Sequence, residues 1–184
     1  MSAYILTGAP GSGKTAIVRS LEASGYTVVE EAATDVIALR QALGHAEPWQ
    51  AAGFIGEIIA LQRQRQDHAR AACADGAVFF DRSPACTLAL TRFLGFPVTP
   101  LLDGEISQAL ADGDYEPTVF FVRNQGFVQP TAARRITYED SLTFERLHEQ
   151  VYKDLGFQLV EVPPGPLADR TALIRQAVAQ QRPT

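Results

Sequence analysis

Residues 8–15 read GAPGSGKT, which fits G-x-x-x-x-G-K-[ST] without a gap. The glycines let the backbone turn tightly and approach an anion closely. Successive N–H groups, and the N-terminus of a following helix, then face the phosphates of a nucleotide. In that arrangement Lys14 reaches the β- and γ-phosphates, and the Thr15 hydroxyl takes a magnesium ion. The expected cradle is Gly8, Ala9, Pro10, Gly11, Ser12, Gly13, Lys14, Thr15 and Ala16. A random chain of this length would match the pattern on the order of one time in a hundred. The apolar run before it and the helical pattern after it reduce the role of chance further. The pattern does not say where the terminal phosphate goes.

Three further groups could act on that phosphate. Asp81 ends the run AVFF and is followed by Arg82 and Ser83. A carboxylate there can hold magnesium or a magnesium-bound water, with Asp81 and Thr15 as the expected metal ligands; a helix cap ahead of Pro84 is the alternative. Arg82 can contact a transferred phosphate or orient an acceptor oxygen, or it can be a surface ion pair. Glu30 and Glu31 follow the run YTVV. Side chains alternate along a strand, so one of the two faces the site, and Glu31 is favoured as a base for an acceptor hydroxyl. Arg123, Arg134 and Arg135 flank the segment 123–136, which is long for a connection and suits an arginine-bearing lid that excludes water.

The elements that must position these groups alternate between short apolar runs and helical patterns. Strands are expected at residues 3–7, 26–30, 77–81, 118–122 and 157–162. Helices are expected at 14–24, 33–43, 84–94, near 105–111, from the cap at Thr137 to Gly156, and at 167–180. A long helix is expected to start at Pro48, whose missing N–H is no loss in a first turn. Leu147, Val151 and Leu155 mark the expected buried side of the helix after Thr137. The pattern implies an α/β three-layer sandwich with a five-stranded parallel sheet, and a single domain over residues 1–184.

Composition supports this. The 184 residues are 46% hydrophobic and 20% charged, enough for a substantial core. The net charge of -5, with no basic block, argues against binding to a nucleic-acid duplex. No segment has the apolar length to cross a bilayer, and no signal-peptide layout precedes the first strand. A cytoplasmic, reduced protein is expected, with Cys73 and Cys86 as buried structural thiols. Self-association is compatible with the sequence and is not specified by it. Phe79, Phe80, Phe120 and Phe121 read as packing. Trp49 and Phe54 fit either the core or the wall of an acceptor pocket. His45, His68 and His148 have no zinc spacing.

Taken together, ILTGAPGSGKT, GYTVVEEAAT, FFDRSPACTLAL, ARRITYEDS and LGFQLVEVP resemble the small AAA-like P-loop NTPase/kinase family that includes bacterial ribosylnicotinamide kinase domains. More distantly they resemble deoxynucleoside and thymidylate kinases. The resemblance spans nearly the whole chain and implies binding of ATP and Mg2+. It implies γ-phosphate transfer to a small hydroxylated, nucleoside-like acceptor. Glu31 occupies the place of the base, and Asp81, Arg82 and Ser83 match the acidic-Arg-Ser motif. Arg134 and Arg135 match the lid loosely. On this reading Lys14, Glu31, Asp81, Arg82, Arg134 and Arg135 carry catalysis. The alternative is a regulatory ATPase acting through a protein partner. A GTPase is disfavoured, because RNQG stands where N-K-x-D would be needed.

Overall fold

The computed structural model describes residues 1–73, 76–127 and 136–181. Arg134, Arg135 and most of the expected lid lie outside the described residues. The chain alternates strand and helix, starting with β1 (Ser2–Thr7), α1 (Lys14–Ala23), β2 (Thr27–Val29), α2 (Ala32–Ala42) and α3 (Phe54–Ala72). It continues with β3 (Ala77–Asp81), α4 (Pro84–Phe93), α5 (Pro100–Ala111), β4 (Thr118–Val122), α6 (Tyr138–Asp154), β5 (Gln158–Val162) and α7 (Leu167–Gln181).

The five strands form one parallel sheet in the order β2-β3-β1-β4-β5. β1 pairs with β3 on one side and β4 on the other, with Leu6 opposite both Asp81 and Phe120. Every connection therefore crosses a face of the sheet, and every carboxyl strand end lies along one edge, where open α/β sheets bind ligands. Side chains alternate about β1. Tyr4 and Leu6 pack with Ile17 and Leu21 of α1 and Ile174 of α7. Ile5 packs on the opposite face with residues of α3, α4 and α6. The four expected core phenylalanines are all buried, and Phe79 and Phe120 lie close to Tyr4. Such aromatic pairs add about 0.5–1.5 kcal/mol each beyond the area they bury.

Four local expectations differ from the structure. Pro48 starts only a 3-10 turn (Pro48–Gln50), because Ala51 takes extended backbone and the helix restarts behind Gly53. Trp49 therefore stands apart from α3. α5 begins at Pro100, earlier than expected, because the Thr99 hydroxyl accepts from Leu102 N at 3.3 Å and Pro100 fits the first turn. On α6 the fully buried stripe is Ser141, Phe144, His148, Val151 and Tyr152, rotated from the stripe the leucines suggest. Cys86 is buried, but Cys73 is only half-buried and donates to Thr27 Oγ1. The Thr137 cap forms as expected, accepting from Asp140 N at 3.0 Å.

Candidate active site

The loop between β1 and α1 is built from backbone that only glycine tolerates at key points. A Cβ on Gly8 would lie 2.3 Å from the Val122 carbonyl oxygen, so this glycine lets the loop pass the end of β4. Gly13 caps α1 with φ +78°, in the left-handed region. The first turn of α1 has no acidic residue and no side-chain cap. Its N–H groups and dipole are thus left to attract an anion. A cavity of about 230 Å³ opens here, lined by residues 9–15 with Arg82, Gln125 and Phe127. The buried Ser12 hydroxyl beside it has no hydrogen-bond partner among the described residues. These features fit the phosphates of a nucleotide.

Four charged side chains converge at the strand ends. Lys14 donates to Asp81 Oδ1, and its Nζ lies 3.6 Å from Glu31 Oε2. Glu31 Oε1 is in turn 3.0 Å from Arg82 Nε. Lys14 and Asp81 are buried, while Glu31 and Arg82 each keep 14% exposure, enough to meet a ligand. Two cations and two carboxylates alternate, so each charge has an answering partner. Glu30 turns the other way and pairs with Arg19 on the surface. Arg65 of α3 fixes the corner that carries Glu31, donating to the Glu31 carbonyl at 2.6 Å and the Glu30 carbonyl at 3.1 Å. Thr15 is exposed at the mouth of the loop. Among the described residues no three His, Cys, Asp or Glu side chains converge as a metal cage. Thr15 and Asp81 are oxygen donors of the kind magnesium takes beside phosphates and water, with Thr15 exposed and Asp81 Oδ1 held by Lys14.

Arg82 has φ +79°, the only positive φ outside glycine among the described residues. Such a conformation costs about 1–3 kcal/mol and persists where surrounding contacts impose it. Here Arg82 N donates to the Leu6 carbonyl at 3.0 Å, and Arg82 Nη1 lies 3.2 Å from His148 Nε2. His148 Nδ1 is 2.9 Å from the Phe144 carbonyl. Since a carbonyl can only accept, Nδ1 carries the proton and Nε2 accepts from Arg82. Burial, and then the charge of Arg82, holds the His148 pKa down to about 3, so the ring is neutral. Burial works to lower the Arg82 pKa, but the charges of Glu31 and its neighbours outweigh it and leave it raised. One turn further along α6, the Tyr152 hydroxyl lies 2.7 Å from Ser83 Oγ and 3.1 Å from Cys86 Sγ, which is 3.1 Å from Thr7 Oγ1. The α6 stripe is therefore the support for the Asp81–Ser83 corner. Its residues follow 3,4-spacing in the sequence, but polar members at 141, 148 and 152 hide it from a search for apolar periodicity.

Beyond Glu31 and Arg82 lies a second cavity, of about 350 Å³. Its walls are mostly apolar: Ile37, Trp49, Phe54, Ile58, Leu90, Phe93 and Phe144. Within them Thr87 Oγ1 donates to Gln62 Oε1 at 3.4 Å. Trp49 and Phe54 thus line a cavity while also packing on the core. Arg82 and Pro10 line both cavities.

Arg123 does not serve as a free lid arginine. Its guanidinium binds Glu161, donates to Glu149 at 2.8 Å and Glu145 at 3.2 Å, and lies 4.4 Å from the centre of the Phe121 ring. The bond to Glu161 leads in raising its pKa, and the bond from Arg123 leads in holding Glu149 at about 2. Three carboxylates hold it in a structural knot between β5 and α6.

Solved structures share this fold. Deoxyadenosine kinase from M. mycoides with bound dCTP aligns at TM-score 0.61 and 14% identity, over 97% of this chain and 99% of that one. The same enzyme with dCMP and dCDP aligns at TM-score 0.58 and 13% identity, with 97% and 99% coverage. Thymidylate kinase from Candida albicans aligns at TM-score 0.56 and 12% identity, over 97% of this chain and 91% of that one. No curated protein matches the sequence. The family model described as AAA domain matches residues 3–170. With its P-loop, its five-stranded parallel sheet and that match over most of its length, the chain belongs to the AAA domain family.

Proposed function

We propose that residues 1–184 act as one ATP-dependent kinase domain that phosphorylates a small hydroxylated metabolite carrying an apolar ring, of nucleoside type. The observation that carries this reading is the Glu31–Arg82 pair. It stands where the phosphate cavity meets a second, mostly apolar cavity large enough for a small molecule. Hydrolysis alone needs only water, for which such a chamber is superfluous. The names of the fold neighbours, deoxyadenosine kinase and thymidylate kinase, point the same way.

A bound ATP–magnesium complex supplies the phosphoryl group. Thr15 and Asp81 are assigned to the metal, and the loop 8–15 to the phosphates. Glu31 faces the acceptor cavity and is assigned to orient the acceptor hydroxyl and take its proton. Arg82 and Lys14 offset the charge that builds on the phosphoryl oxygens. A bound acceptor seated against the apolar walls would displace water and so protect the phosphoryl group from hydrolysis.

The test is incubation with γ-labelled ATP, Mg2+ and a panel of deoxynucleosides, ribonucleosides and ribosylnicotinamide. The reading expects label in a phosphorylated acceptor. Label released only as free phosphate, whatever acceptor is present, favours a regulatory ATPase instead.

A further inference from the structure

Arg170 lies on α7, yet its side chain ends against the phosphate loop. Its Nη2 donates to the Ser12 carbonyl at 2.8 Å, across 158 positions of sequence, and approaches the Arg123 carbonyl at 3.4 Å. The Ser12 carbonyl has a second donor, Gln125 Nε2, at 3.3 Å. Arg170 Nη1 is so close to the loop that a Cβ on Gly13 would lie 2.9 Å from it. The carbonyl oxygen and the following N–H of a trans peptide point in opposite directions. Fixing the Ser12 carbonyl therefore fixes the direction of the Gly13 N–H.

Carbonyl oxygens accept from this side chain, but among the described residues no carboxylate answers its charge. Arg170 is 5% exposed, and its Nε has no hydrogen-bond partner among the described residues. Among the described residues it has no ion pair, whereas Arg82 and Arg123 are both met by carboxylates. Burial lowers its pKa, with no neighbouring charge to oppose it. The hydroxyls of Ser12 and of Thr171, the next residue along, are also buried without partners among the described residues. A buried cation without a counter-charge is strongly unfavourable unless an anion approaches. The cavity on the other side of the loop is where one would sit: Arg170 does not line it but backs the Ser12–Gly13 peptide that does, so the anion would answer its charge across that peptide.

We infer that Arg170 is a positioning residue for the nucleotide: it tethers the Ser12–Gly13 peptide, and its unpaired charge is answered by the phosphates of a bound nucleoside di- or triphosphate. This rests on the phosphate-site reading of residues 8–15 and is independent of the acceptor.

The test measures dissociation constants of AMP, ADP and a non-hydrolysable ATP analogue for the full chain, with Arg170→Met and Arg170→Lys beside the wild type. Arg170→Met is expected to weaken ADP and the analogue about 10- to 100-fold, the range of a charge-assisted contact. The loss should grow with the number of phosphates, while the urea midpoint of the ligand-free protein does not fall. Arg170→Lys, which keeps the charge, should recover part of the affinity. Wild-type affinity in Arg170→Met overturns the inference. So does an equal loss for all three ligands together with a lowered midpoint, the mark of a purely structural residue. If Arg170→Met does not fold, the wild type decides. The 15N–1H signal of Arg170 Nε should shift and exchange more slowly with water as pyrophosphate is added, and an unmoved signal at saturation overturns the inference. Failure of the wild type to bind any of these ligands is a distinct result, because it removes the phosphate site itself.

Discussion

The two cavities that share Arg82 and Pro10 are made of different material. The phosphate cavity is formed mainly by one contiguous loop and the start of one helix, with Arg82, Gln125 and Phe127 at its side, and its chemistry is that of backbone N–H groups with Lys14 and Arg82. The second cavity is formed mostly by side chains from α2, the turn at Pro48, α3, α4 and α6, and its chemistry is apolar with a few polar groups. The first can hold any polyphosphate. The second must fit the shape of one class of molecule. On the proposed kinase reading, specificity belongs to the second cavity, and the Glu31–Arg82 pair is where the two communicate.

If that division is right, substitutions in the two regions should separate nucleotide binding from acceptor use. Lys14→Ala has the largest expected effect. It should lower phosphoryl transfer by about 100- to 1,000-fold, weaken nucleotide affinity, and leave the helical circular-dichroism spectrum in place. Unchanged turnover would remove Lys14 from the chemistry. Glu31→Gln should reduce kcat about 100-fold while leaving the nucleotide dissociation constant near the wild-type value. A parallel loss of nucleotide affinity would blur the boundary drawn between the cavities. Ala33→Trp, which fills part of the acceptor cavity, should raise the acceptor KM about tenfold with ATP affinity unaffected. Equal changes in both would place Ala33 outside the acceptor wall.

The smallest effect concerns the support beneath the boundary. The His148 pKa is about 3 in the folded protein, below its ordinary 6.5. Between those values the unfolded chain takes up a proton that the folded chain does not. The stabilising contribution is thus complete above pH 6.5 and is lost as pH falls towards 3, by about 1.4 kcal/mol per pH unit. His148→Gln keeps an acceptor for Arg82 and lacks this titration. Urea unfolding at pH 7, 6 and 5 should show a shallower loss of stability for the variant, and parallel curves would contradict the buried neutral histidine.

The same contrast explains what the sequence made legible. The sheet, its order of elements and the phosphate loop follow from contiguous patterns: apolar runs, Gly13 before Lys14, the Thr137 cap. The convergence of Lys14, Glu31, Asp81 and Arg82 follows once each is placed at a carboxyl strand end. Arg123 sits at such an end too, but three carboxylates from α6 and β5 claim it, and their approach leaves no trace in local sequence. Arg170 and His148 are legible only in three dimensions, because each meets the site from a helix remote in the chain. The walls of the second cavity look like ordinary core residues, since apolar side chains around a cavity and around each other have the same periodicity.

The most direct test of the two-cavity account is a structure of the protein with a non-hydrolysable ATP analogue and the acceptor that the labelling panel selects. The account predicts phosphates on residues 8–15 and the acceptor ring among Trp49, Phe93 and Phe144, with its reactive hydroxyl in hydrogen-bonding distance of Glu31. An acceptor bound elsewhere, or a hydroxyl turned away from Glu31, would contradict it.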